Sequence, residues 1–91
     1  MEKDLSAIWL CGIYDPGKSY GILLHAGTEN HVRMTYDAMV SGAKSSGLNS
    51  HSLKLLSPDD WASRVLNKGL GTSETFLDQL LSGAIGFDKL F

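Results

Sequence analysis

The sequence predicts a small α+β domain in which a three-stranded antiparallel sheet carries helices packed on one face. Three observations predict it: an apolar, β-prone run at residues 7–14, a proline–glycine turn directly after it, and helical stripes of apolar residues further along the chain. The element order is β-β-α-β-α-α, and a third strand beside the first gives the sheet order 2-1-3. The 91 residues predict a single domain, because the chain is too short for two.

The first two strands form a hairpin. Residues 7–14 (AIWLCGIY) and residues 19–25 (SYGILLH) are both rich in aliphatic and aromatic side chains. The connecting residues 15–18 (DPGK) favour a type II turn, because proline presets φ at the second position and glycine accepts a positive φ at the third. The pattern leaves open which face of the hairpin is buried.

The first helix follows Thr28, a suitable N-cap, with Glu29 at the positive end of the helix dipole. Gly47 suits the end of this helix. Its apolar stripe has helical spacing and consists of Val32, Tyr36, Met39, Val40 and Ala43. The third strand is predicted where His51, Leu53 and Leu55 alternate with other residues.

Two further helices follow the third strand. Ser57 suits an N-cap and Pro58 the first helical position, so a short helix begins there and ends near Gly69. The last helix opens at residues 71–72, and Gly83 favours its end. Its apolar stripe consists of Phe76, Leu77, Leu80, Leu81 and Ala84.

Composition narrows the class of protein. Eight basic and ten acidic residues give a formal charge of −2, which disfavours a general nucleic-acid binder. Cys11 is the single cysteine, so an internal disulfide framework is excluded. The first residues lack a signal-peptide pattern, and no apolar run approaches the roughly 20 residues of a membrane span. We therefore expect a cytoplasmic protein without a membrane association.

One segment matches a nucleotide-binding pattern. Residues 12–19 (GIYDPGKS) fit G-x-x-x-x-G-K-[ST] and follow an apolar strand. In this alternative the phosphate-binding residues are Gly12, Gly17, Lys18 and Ser19. The residues that follow are β-like, whereas a phosphate loop opens a helix. The hairpin turn is therefore the preferred interpretation, with the phosphate site kept as an alternative.

A third interpretation is single-stranded nucleic-acid binding by stacking on Trp9, Tyr14 and Tyr20, which cluster in the hairpin. Cross-strand packing explains the same aromatic residues and agrees better with the charge balance. The three histidines match no metal-ligand spacing, and no pattern indicates a nucleophile with its base. We expect neither a cofactor, nor a metal, nor an enzyme.

The last residues are unusually apolar for a chain terminus. The side chains that stand out are Ile85, Phe87, Leu90 and Phe91, with Leu70 as a further member. They either close the protein's own core or bind another protein or a second copy of the chain. The leading hypothesis is a non-catalytic binding module, a regulator, inhibitor or adaptor that forms a homodimer or binds another protein. Small domains of this kind are common in mobile genetic elements such as phages, although no residue indicates such an origin.

Overall fold

A computed structural model of the chain describes residues 5–18, 20–46 and 52–91. A short 3-10 turn, Leu5–Ala7, precedes the sheet, and a second one, Phe87–Leu90, follows the last helix. We call the second one the tail helix. The remaining elements, in chain order, are β1 (Trp9–Asp15), β2 (Tyr20–Gly27), α1 (Glu29–Ser46), β3 (Leu53–Leu56), α2 (Pro58–Asn67) and α3 (Ser73–Ser82).

The sheet is antiparallel throughout and has the order β2-β1-β3, which confirms the predicted class and strand order. In the hairpin, Cys11 lies opposite His25, whereas Gly12 lies opposite Leu23. Leu24 is therefore an extra residue in β2, and it forms a bulge that bends the strand. On the other side of β1 the register is regular, from Leu10–Leu56 pairing through Ile13–Leu53 pairing.

The hairpin turn is not of type II, contrary to the prediction. Gly17 is not among the glycines with positive φ, so the third turn position lacks the conformation that this type requires. Instead, the Asp15 side chain accepts the N–H of Gly17 at 3.0 Å, and the Asp15 carbonyl accepts the N–H of Lys18 at 3.2 Å. A turn can also be stabilised in this way, by an aspartate side chain that accepts the backbone N–H of the residue two positions later.

The helices cover both faces of the sheet instead of one. Alternation along β1 sends Trp9 and Ile13 to one face and Leu10 to the other. On the first face lies α1, whose Arg33 guanidinium is 4.9 Å from the centre of the Trp9 ring. The opposite face carries α2, α3 and the tail helix. Because β1 is the central strand and is apolar on both sides, both of its faces need a cover.

The main core lies between the Leu10 face of the sheet and these last three elements. Trp61 is fully buried, and its indole N–H donates to the carbonyl oxygen of Ile8 at 2.8 Å. This bond satisfies the one polar group of the side chain. The buried members of the cluster are Leu10, Leu56, Trp61, Val65, Phe76, Leu77, Leu80, Phe87 and Leu90.

The structure confirms the predicted first residues of α2 and α3 and the predicted end of α3. The Ser57 hydroxyl accepts the N–H of Asp60 at 3.3 Å, and Pro58 occupies the first helical position. The last helix begins after Thr72 and ends at Gly83, which has a φ of 84°. The predicted stripe is shorter than expected. Residue 84 lies outside α3 because the helix ends at Gly83, and Leu81, which is inside the helix, is more than half exposed.

The α1 stripe is buried only in part. Val32 and Ala43 are buried, whereas Met39 is partly exposed. The predicted helix end at Gly47 and the first residue of the predicted third strand, His51, lie outside the described residues.

The apolar tail closes the protein's own core. Phe87 and Leu90 are fully buried, and Leu70, Ile85 and Phe91 pack against the same cluster. Phe87 and Leu90 have no accessible surface in this fold, so these two are not contact residues here. The physical reason is that burying two large apolar side chains in the core stabilises the chain more than leaving them in water. Leu70, Ile85 and Phe91 are partly exposed, and their role as contact residues stays a prediction.

Polar contacts hold the end of the tail in place. Arg64 of α2 donates to the Leu90 carbonyl oxygen at 3.1 Å and lies 4.8 Å from the centre of the Phe91 ring. Lys68 donates to the Phe91 carbonyl oxygen at 2.9 Å. The same ring stacks on Tyr14 at 4.6 Å, so the tail is attached to both α2 and β1.

Candidate functional site

The segment that matches the phosphate-loop pattern does not have the geometry of such a loop. Gly12 lies inside β1, and the N–H groups of Gly17 and Lys18 are engaged with Asp15. The next described element is a strand, so the segment does not open a helix whose N–H groups would bind an anion. Ser19 lies outside the described residues. The described geometry therefore does not favour the phosphate alternative.

The hairpin aromatics are not arranged as an open stacking platform. Trp9 is covered by the Arg33 guanidinium, and Tyr14 is stacked on Phe91 with an angle of 17° between the rings. Of the three residues, Tyr20 is the exposed one, with 53% of its surface accessible. Successive bases need several free rings along one groove, so this geometry does not favour single-strand binding.

Cys11 lies in the sheet, buried and with a free thiol. Burial raises the pKa of this thiol, and a hydrogen bond from the His25 backbone opposes that effect only in part. A buried thiol of raised pKa is a poor nucleophile. Among the described residues, no group of three or more histidine, cysteine and acidic side chains is placed to hold a metal ion.

The outer edge of β2 is a candidate contact surface of the described chain. This strand is eight residues long, and β1 is its one strand partner in the described part of the chain. Every second residue along its other side therefore presents backbone N–H and C=O groups without a strand partner. The strand, YGILLHAG, contains no Lys, Arg, Asp, Glu or Pro. Natural edge strands are usually protected by such residues, by being short or by a bulge, and of these devices β2 has the bulge at Leu24 alone.

The opposite edge of the sheet has this protection. β3 is four residues long and carries Lys54 in its centre. A short edge with a lysine resists pairing with another chain, because pairing would bury the charge. The two edges of the sheet thus differ in length and in charge, and both properties control whether another strand can pair there.

Apolar side chains flank the β2 edge on both faces of the sheet. Ile22, on the α1 face, has 43% of its surface accessible, and Leu81 of α3, on the opposite face, has 55%. Tyr20 continues the row on the α1 face. Three large, partly exposed apolar or aromatic side chains along one free strand form a surface suited to contact with another chain. We call this surface, formed by β2 with Leu81, the β2 edge.

A groove runs beside the β2 edge. Its volume is about 410 Å³, and a second cavity of about 270 Å³ lies beside Ala26 and Gly27. Leu81 borders both cavities. The groove is lined by Gly21, Ile22 and Leu23 from the strand, and by Leu80, Leu81 and Ile85 from α3 and the segment after it.

The sequence predicted that the tail either closes the core or binds a partner, and it did not lead us to the β2 edge. Two signals were available. The run of residues 20–27 is long and uncharged, and the sheet order 2-1-3 puts that strand at an edge. Together they predict an unprotected edge strand.

No protein-family model matches the chain, and no curated protein and no solved structure is significantly similar to it. None of the helices in the described residues is long and apolar enough to cross a lipid bilayer.

Proposed function

We propose that the protein is a small, non-catalytic, cytoplasmic binding module that acts by protein–protein contact, as a regulator, inhibitor or adaptor. The observation that carries this proposal is the β2 edge: eight residues of uncharged strand with no second strand partner in the described chain. The contact is the addition of an extended polypeptide segment to the sheet.

Strand addition divides affinity and specificity between backbone and side chains. The outward N–H and C=O groups of β2 supply hydrogen bonds that any extended segment can use. The adjoining groove receives every second side chain of the added segment, because side chains alternate between the faces of a strand. Leu80, Leu81 and Ile85 offer apolar contacts to such a side chain, and Ser82 and the glycine backbone offer polar ones.

The test is affinity capture from a lysate of the source cell, with the wild-type chain and two variants. Ile22→Lys places a charge on the β2 edge at a partly exposed position. Leu66→Lys is the matched control, because Leu66 is 78% exposed and lies on α2, away from the β2 edge. Circular dichroism verifies that each variant is folded.

The expected result is a protein captured in stoichiometric amount by the wild type and by Leu66→Lys, and not by Ile22→Lys. Titration of the purified partner against the three chains then measures the loss of affinity. A partner bound equally by all three chains contradicts the use of the β2 edge. A wild-type chain that neither captures a partner nor self-associates contradicts the proposed function itself.

A further inference from the structure

We infer that the segment added to the β2 edge is the β2 strand of a second copy, which makes a symmetric dimer with a continuous six-stranded sheet. This inference rests on the proposed function and names its partner. Each copy contributes the same strand, so the interface is isologous and closes after two copies.

Antiparallel pairing makes β2 self-complementary. A strand paired with its own copy about a two-fold axis is necessarily antiparallel, and each outward N–H then meets an outward C=O of the other copy. The absence of formal charge from residues 20–27 means that no like charges are brought together along the strand. β3 lacks this property, since its copy would place one Lys54 near the other.

The charges just beyond the strand also complement each other. Lys18 precedes β2 and Glu29 follows it; both are exposed, and Glu29 also accepts a hydrogen bond from Arg33 of its own chain at 2.6 Å. In an antiparallel pairing centred on the strand, the Lys18 end of one copy lies beside the Glu29 end of the other. This pairing occurs twice, once on each side of the axis. Because Glu29 is already paired with Arg33, this contribution is small, and the antiparallel direction follows from the two-fold symmetry and not from the end charges.

The dimer is expected to be weak. Eight antiparallel residues extend about 27 Å, and the bulge at Leu24 interrupts the regular row of backbone groups. Such a contact falls at the low end of interface sizes, below about 1,200 Å². Ile22, Tyr20 and Leu81 add apolar area at its rims. We therefore expect a weak monomer–dimer equilibrium, with a dissociation constant between about 1 μM and about 1 mM.

Sedimentation equilibrium of the full chain tests the inference at concentrations from about 1 μM to about 1 mM, the range that covers weak association. The wild type and Leu66→Lys should shift from monomer to dimer mass over this range. Ile22→Lys should raise the dissociation constant about tenfold or more, since pairing would bury two lysines beside the axis. Amide hydrogen exchange at low and high concentration supplies a second readout: alternate amides of residues 20–27 gain protection only at high concentration.

The outcomes separate the inference from the proposed function. A wild-type chain that stays monomeric up to about 1 mM overturns the second copy as partner. If the same chain captures a protein that Ile22→Lys does not capture, the proposed function stands without the dimer. A dimer that Ile22→Lys leaves intact, or one without protection in residues 20–27, overturns the β2 interface.

Discussion

The ring of Phe87 occupies the space that a side chain at Gly12 would need. A Cβ built on Gly12 would stand 2.9 Å from two carbons of that ring and would also meet the carbonyl oxygen of Ile22. At the neighbouring strand, a Cβ on Gly21 would stand 2.8 Å from the Cα of Asp88. Two glycines on adjacent strands thus let the tail helix lie directly on the sheet.

Gly12→Ala is therefore expected to lower the free energy of unfolding by about 1–3 kcal/mol. The obstructing groups are a packed ring and a strand backbone, neither of which moves aside easily. Urea denaturation followed by circular dichroism measures the change. Gly42→Ala is the matched control, because position 42 lies inside α1 and a methyl group there would have no neighbouring atom within 4 Å. It should raise the stability by about 1 kcal/mol, the helix preference of alanine over glycine. The same sign for both variants would contradict the close contact.

Phe87→Ala should cost about 3–5 kcal/mol, the usual loss for a fully buried phenylalanine. A domain of this length has a total stability of about 5–14 kcal/mol, so the variant is strongly destabilised. Leu81→Ala is the comparison, since that side chain is more than half exposed, and it should cost less than about 1 kcal/mol. Thermal denaturation of the two variants distinguishes a tail that belongs to the core from one that merely rests on it. Equal melting temperatures would show that the tail is not part of the core.

Ser57→Ala removes the hydroxyl that caps α2 and should lower the free energy of unfolding by about 1 kcal/mol. Ser63→Ala, at an exposed position inside the same helix, should leave the stability unchanged or raise it by about 0.5 kcal/mol. Chemical denaturation of both variants under identical conditions gives the difference. If the two substitutions have the same effect, the cap does not stabilise the helix.

The stability should fall in alkaline solution because of Cys11. Burial raises the pKa of this thiol in the folded chain, so the folded state holds the proton more tightly than the unfolded state. Below the ordinary thiol pKa of about 8.5 both states are protonated, and the contribution is fully present. As pH rises above that value, the unfolded state loses its proton first, and stability decreases until the folded pKa is passed.

The measurement is the free energy of unfolding at several values from about pH 7 to about pH 10, for the wild type and for Cys11→Ala. The wild type should show the steeper decline, and its native thiol should react slowly with a thiol reagent. Parallel curves for the two chains would show that the Cys11 proton does not contribute.

Local signals explain why much of the fold could be predicted. Ser57 and Pro58 are residue types typical of the start of a helix, and they predict one there. The hairpin is predicted by two β-prone runs on either side of a turn. The contacts of Gly12 and Gly21 could not be predicted from local sequence, because the residues that contact them lie near the other end of the chain. A glycine in each of two neighbouring strands was nevertheless a signal that another segment approaches closely.

The location of the tail could not be predicted for a related reason. An apolar tail such as residues 85–91 has the same composition whether it closes a core or binds a partner. Only the position of Phe87 against the sheet decides between the two. The apolar character of β1 on both of its faces was the available signal that helices would cover both sides of the sheet.

The contact between Gly12 and Phe87 also bears on how the chain folds. It joins positions near opposite ends of the sequence, so its formation requires closing almost the whole chain into one loop. Contacts of such large sequence separation slow folding. Until the tail docks, the sheet surface at Gly12 and Gly21 is uncovered beside the β2 edge. A transient species of this kind is prone to aggregate, so the speed of tail docking sets how long the folding chain remains vulnerable.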